Sequence, residues 1–157
     1  MKKKKNIGIV AHDNRKKDII ELVLYNWKDL IQHNIICTGT TGKLVEEALI
    51  YKSNENGTVP PTVTHLKSGP LGGDQQLGAH IVEGKIDILI FFWDPMEPQP
   101  HDVDVKALLR IAVLYNIPAA SNRSTADFII SSSLFHEKYD PILKNYEEYI
   151  KRDVVLS

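Results

Sequence analysis

Two small-residue loops, two histidines and a set of carboxylates could together hold a phosphate ester and deprotonate it. The run Thr38-Gly39-Thr40-Thr41-Gly42 combines hydroxyl donors with backbone that an anion can approach closely. At a helix start, its amides and the partial positive charge of the helix would face that anion. A tight turn with threonine caps is the plainer alternative. Lys43 lacks the P-loop spacing, and the dinucleotide fingerprint is missing. In Ser68-Gly69-Pro70-Leu71-Gly72-Gly73-Asp74, three glycines fall within five residues, which calls for unusual backbone angles or close ligand approach. Asp74 taken alone reads as the N-cap of a helix. A carboxylate facing a glycine cradle could instead be a general base.

Three further loops carry polar groups. His12-Asp13-Asn14 precedes Lys16; Asp13 or Asn14 reads as an N-cap, and His12 as a polar strand end or a ligand contact. Trp93-Asp94-Pro95 leads through Pro98 and Pro100 to His101, Asp102 and Asp104. His101 beside two carboxylates could be an oriented acid or electrophile, while Asp102 or Asp104 could cap a helix. Arg123, in Ser121-Asn122-Arg123-Ser124-Thr125, reads as a solvated loop arginine rather than a phosphate contact. No HExxH spacing suggests a metal, and no Gly-x-Ser-x-Gly elbow suggests a serine nucleophile.

Each of these loops follows a short apolar run. Ile7–Ala11, Ile35–Thr38, Val63–Lys67, Ile88–Phe92 and Pro118–Ala120 are nearly continuous in apolar character, as suits strands covered on both faces. Between them lie stripes of helical period. Ile19, Ile20, Val23, Leu24, Trp27 and Ile31 form one, Leu44, Val45, Ala48 and Leu49 a second, and Leu108, Leu109, Ala112 and Val113 a third. A helix is also expected from Asp74 to about Glu83, with Gly84 as its stop. Repeated β-then-α units predict a three-layer α/β/α domain over residues 1–157, built on a five-stranded, mostly parallel Rossmann-like sheet. Ligands of such sheets bind at the carboxyl ends of the strands, where the loops named above gather. Residues Lys52–Thr62, with Asn56-Gly57 and Pro60-Pro61, read as a surface loop, and Tyr139–Arg152 as a last helix.

Composition narrows the function classes. The chain has 157 residues, 43% hydrophobic and 25% charged, with net charge -1. No global field favours nucleic acid or a membrane surface. Lys2–Lys5 reads as a solvated basic start to the first strand. No apolar run approaches the ~18 residues of a membrane span, and no signal-peptide core is present. Cys37 is the single cysteine and reads as a small strand residue, so a disulfide framework is excluded. A cytoplasmic protein is expected.

The sequence resembles the methylglyoxal synthase family. The matching runs are Val10-Ala11-His12-Asp13, Thr38–Gly42, Ser68–Gln75, Phe91–Pro95, Pro100-His101-Asp102, Asp104–Arg110 and Thr125-Ala126-Asp127, in family order over almost the whole chain. The resemblance implies a cofactor-free lyase that converts dihydroxyacetone phosphate to methylglyoxal and inorganic phosphate. It implies catalytic roles for Asp74, His101 and Asp104. It places His12, Lys16, Thr38, Gly39, Thr40, Thr41, Ser68, Gly69 and His101 at substrate-binding positions, and Asp13 and Asp94 as supporting carboxylates. A homohexamer, commonly inhibited by phosphate, is also implied. The segment Ser53–Thr62 is longer than in familiar members. Where some members have an arginine that reaches a neighbour's phosphate site, this chain has Asp153, with Arg152 one position earlier.

Two other functions compete. Regulatory domains of carbamoyl-phosphate synthetase share the fold and bind effectors in the corresponding cleft without catalysis. They do not keep the full set of His12, Asp74, His101 and Asp104, which favours the enzyme. A nicotinamide dehydrogenase fails on glycine spacing.

Overall fold

The central strand β1 (Asn6–Ala11) turns Ile7, Ile9 and Ala11 to one face and Val10 to the other, and all four are buried. The computed structural model, which describes residues 1–97 and 102–152, repeats that pattern in β4 (Ile88–Phe92). Burial on both faces is why these strands read as continuous apolar runs. Beside them lie β2 (Asn34–Thr38), β3 (Val63–Leu66) and β5 (Ala119–Ala120). The sheet order is β3-β2-β1-β4-β5, and its pairings are parallel throughout. No strand end departs from its expected position by more than one residue.

Helices cover both faces. On one lie α1 (Lys16–Tyr25), α2 (Trp27–Leu30), α3 (Gly39–Asn56) and α6 (Arg123–Ser131). On the other lie α4 (Gly73–Val82) and α5 (Asp102–Leu114), with Leu77, Ile81, Val105, Leu108 and Ala112 packed against Val10, Leu89 and Phe91. The crossovers change face between β1 and β4, so the loops diverge there and leave a crevice at the carboxyl edge.

Several expectations need correction. The first stripe is split at Asn26, whose side-chain amide donates to the Leu22 carbonyl (3.0 Å) and to Asp127 (3.1 Å). Such a local bond competes with helix continuation. The supposed loop from Lys52 begins as helix, because α3 runs on to Asn56 and Gly57 closes it at φ 65°. Asn-Gly here is a helix stop rather than a turn. Val113 is 79% exposed, and Val105 takes the core position instead. In the tail only α7 (Glu147–Ile150) is helical. Pro141 interrupts the chain, and Ile142 and Ile150 find no core to pack on, so an amphipathic helix gains nothing by forming.

The basic N-terminus is not uniformly solvated. Lys5 is 1% exposed, and its ammonium donates to the carbonyls of Lys2 (2.7 Å) and Glu137. Burial lowers its pKa, against the raising influence of Asp87 and Glu137. The Lys5 amide donates to Nδ1 of buried His33 (3.0 Å), which stacks on His136. Burial first, then the charges of His136, Lys5 and Lys4, hold the His33 pKa at about 4 against an ordinary 6.5, with Asp29 opposing. As pH falls, the unfolded chain therefore takes up this proton before the folded one does. The stabilisation by neutral His33 is complete above pH 6.5 and is lost on the way to pH 4. The full loss is roughly 3 kcal/mol. Denaturant unfolding of wild type and His33→Asn checks this: the variant keeps an acceptor for the Lys5 amide and should lose less stability across that window.

Candidate active site

The two small-residue loops meet at the carboxyl edge. Thr38 ends β2 and Gly39 opens α3. The Gly39 amide donates to the Lys67 carbonyl (3.2 Å), at the end of β3. Gly39 has φ 49°, and a Cβ there would lie 3.0 Å from the Cα and Cβ of Ser68. Only glycine combines that backbone with that approach. With the Gly39 amide engaged, the amides left open to an anion at this helix start are those of Thr40 and Thr41, which have no acceptor one turn back.

A cleft of about 130 Å³ opens between these loops, lined by Val10–Asp13, Lys16, Thr38–Thr41, Ser68–Pro70 and Asp74. This is small against the hundreds of Å³ typical of drug-sized ligands. The Lys16 ammonium lies 2.6 Å from Asp13 Oδ1 and also donates to the Thr40 hydroxyl. It thus ties the loop after β1 to the start of α3. Asp13 is therefore not a helix cap; the Lys16 hydrogen bond and charge lower its pKa. The Thr41 hydroxyl donates to the Ala11 carbonyl (3.3 Å), fixing α3 to the end of β1.

Asp74 is 3% exposed and sits in the first turn of α4. It is not the N-cap: Gly72 holds that position, at φ 98°. His12 is 9% exposed, and its ring meets Phe91 edge-on. Its Nδ1 accepts the Asp94 amide (3.1 Å), so the neutral ring carries its proton on Nε2. The tautomer is that of a hydrogen-bond donor at Nε2.

The remaining carboxylates lie outside this lining. Asp94 accepts from Asn14 (2.9 Å) and from the Met96 amide (2.9 Å), and both lower its pKa. Its backbone amide, not its carboxylate, contacts His12. Asp104, half-buried on α5, lines a second cavity of about 220 Å³ with Asp74, Gln75, Val82 and Leu108. Asp74 therefore stands between the two cavities. His101 lies outside the described residues, as do Pro98, Pro100 and Asp153. Arg123 pairs with Asp127 (2.9 Å) and covers the Tyr25 ring, which leaves it no part in the cleft. The contributions of Val10, Ala11 and Pro70 had no signal in residue type, because they line the cleft through where the chain runs.

Cys37 is buried and burial raises its thiol pKa, so its expected role as a small strand residue holds. Among the described residues, no group of three or more His, Cys, Asp or Glu is placed to hold a metal ion. No helix among them is long and apolar enough to cross a membrane.

The comparisons agree with one another. The MGS-like domain model matches residues 23–121. A methylglyoxal synthase of Maridesulfovibrio salexigens is 58% identical over 156 residues, covering 97% of this chain and 99% of that protein. One from Leptospira interrogans is 54% identical over 149 residues, covering 95% of this chain and 94% of its own. The crystal structure of methylglyoxal synthase from Elizabethkingia anophelis superposes with TM-score 0.87 at 46% identity, covering 100% of this chain and 97% of that one. A family model over residues 23–121, and full-length relatives sharing more than half their residues, make this chain a member of the methylglyoxal synthase family.

Proposed function

We propose that the protein converts dihydroxyacetone phosphate to methylglyoxal and inorganic phosphate. The observation that carries this is the placing of buried Asp74 in one small cleft with Lys16 and the start of α3. An anion grip and a base against the same ligand are what the reaction requires.

Asp74 takes a proton from the hydroxymethyl carbon, and the electron pair moves toward the carbonyl oxygen. His12, with its proton on Nε2, and His101 are the neutral donors proposed to meet that growing charge. The enediolate then breaks the C–O bond to phosphate on the adjacent carbon; phosphate leaves with the pair, and the enol of methylglyoxal remains. Elimination rather than isomerisation requires that C–O bond to stand against the plane of the enediolate. Thr38–Thr41, Ser68 and Gly69 fix this torsion by holding the phosphate. Asp104 assists from the far side of Asp74, while Asp13 and Asp94 orient Lys16 and His12. On this proposal the protein works in the cytoplasm as a homohexamer, and its product phosphate competes for the cleft.

The test is to supply dihydroxyacetone phosphate to the purified protein and measure trapped methylglyoxal with released phosphate in equal amounts. Tight phosphate binding without turnover would sink the lyase and favour an effector-binding domain. A charge-assisted bond lost at Lys16 is worth about 1.5–3 kcal/mol, so Lys16→Met should lower kcat/KM by roughly 10–100-fold and weaken phosphate inhibition. Unchanged inhibition by phosphate would remove Lys16 from the anion grip.

A further inference from the structure

One residue outside the cleft lining bonds directly to the point where its parts join. That point is the Lys67 peptide, just past β3. Its carbonyl accepts the Gly39 amide (3.2 Å), which joins the two small-residue loops. The same carbonyl oxygen would lie 1.9 Å from a Cβ on Gly73, so the start of α4 rests directly on it. Its amide donates to the side-chain Oε1 of Gln76 (2.9 Å). Gln76 is itself fixed in the first turn of α4, where its own amide donates to the Gly72 carbonyl (3.0 Å). Asp74 is two residues away in that turn.

We propose that Gln76 is a positioning residue: by accepting the Lys67 amide it holds α4 in register with the phosphate loops, and so sets where Asp74 meets its substrate. Backbone packing at Gly73 limits how close the helix can come, and the Gly73 amide, donating to the Ser68 carbonyl (2.9 Å), holds its first residue. The Gln76 bond adds the restraint at the far end of that first turn, beyond Asp74. Gln76 is half-buried and Lys67 exposed, so without the side chain the Lys67 amide turns to water and the fold survives. What loosens is the distance between base and phosphate, to which proton transfer is steeply sensitive.

On the lyase reading above, the prediction separates proton abstraction from anion binding. Q76L should lower kcat roughly tenfold, while the inhibition constant for inorganic phosphate stays within about twofold, because Lys16 and the start of α3 are untouched. Q76E keeps an oxygen acceptor and should retain kcat within about threefold of wild type. Circular dichroism confirms that both variants fold. Full activity in Q76L overturns the role, as does an equal loss in Q76L and Q76E. A rise in the phosphate constant parallel to the fall in kcat also overturns it, since Gln76 would then hold the anion loops rather than the base. If the wild type forms no methylglyoxal, the lyase reading fails and takes this role with it. An active wild type beside an unaltered Q76L overturns the role alone.

Discussion

Asp74→Asn is expected to lower kcat by about 10³-fold, the middle of the range for removing a general base, while inorganic phosphate binds as before. Asn keeps the shape of the side chain and removes its ability to take a proton. Phosphate affinity should hold because the grip belongs to Lys16 and the start of α3. Stability should change little, since Asn has the shape of Asp and active sites commonly trade stability for function. Steady-state kinetics, phosphate inhibition and thermal unfolding together check the claim. Turnover within a few-fold of wild type would take the base role away from Asp74.

Gly73→Ala should be nearly as damaging, for a reason of shape alone. The added Cβ would lie 1.9 Å from the Lys67 carbonyl oxygen, 2.9 Å from the Lys67 carbonyl carbon and 3.0 Å from the Ser68 carbonyl carbon. All three are backbone atoms, so no rotamer relieves the clash. A carbon and a carbonyl oxygen come no closer than about 3.3 Å, and α4 must therefore retreat by more than 1 Å. A displacement of that size can cost ~10²-fold in rate, and forced overpacking adds about 1–3 kcal/mol of destabilisation. Kinetics and denaturant unfolding of the variant read both effects. An active, fully stable Gly73→Ala would show that the start of α4 does not set the base. Comparison with Q76L is informative, because Gly73→Ala pushes the helix away while Q76L only releases it.

The cleft was legible because its residues carry their chemistry in short segments. Thr38–Thr41, Ser68-Gly69 and His12–Lys16 each follow a strand whose apolar run is easily seen, and a parallel sheet must bring such loops to one edge. The roles inside the cleft were less legible. Asp74 and Asp13 have the residue type and place of helix caps, yet Gly72 occupies one cap position and Lys16 claims the other carboxylate. Residue type cannot separate a cap from a base when both stand at a helix start. The mistaken boundaries have a common origin: Asn56-Gly57 looks the same in a turn and at a helix end, and Tyr139–Arg152 has helical residues without a surface to pack on.

Local sequence by itself determined the five strands, the helices between them and the loops proposed to hold the anion, because apolar period and glycine placement act over a few residues. Tertiary structure alone decided the rest. The amide that Asp94 gives His12 lies 82 residues away from it in the chain, and it selects the histidine's tautomer. The buried amine of Lys5 is satisfied by a carbonyl at Glu137, although its neighbours in sequence are solvated lysines. The Lys67 peptide joins β3, α3 and α4 through bonds and contacts that no spacing announces. Burial and hydrogen-bond partners are properties of what the chain brings together, and at this site they put Asp74 in the cleft rather than at a helix cap.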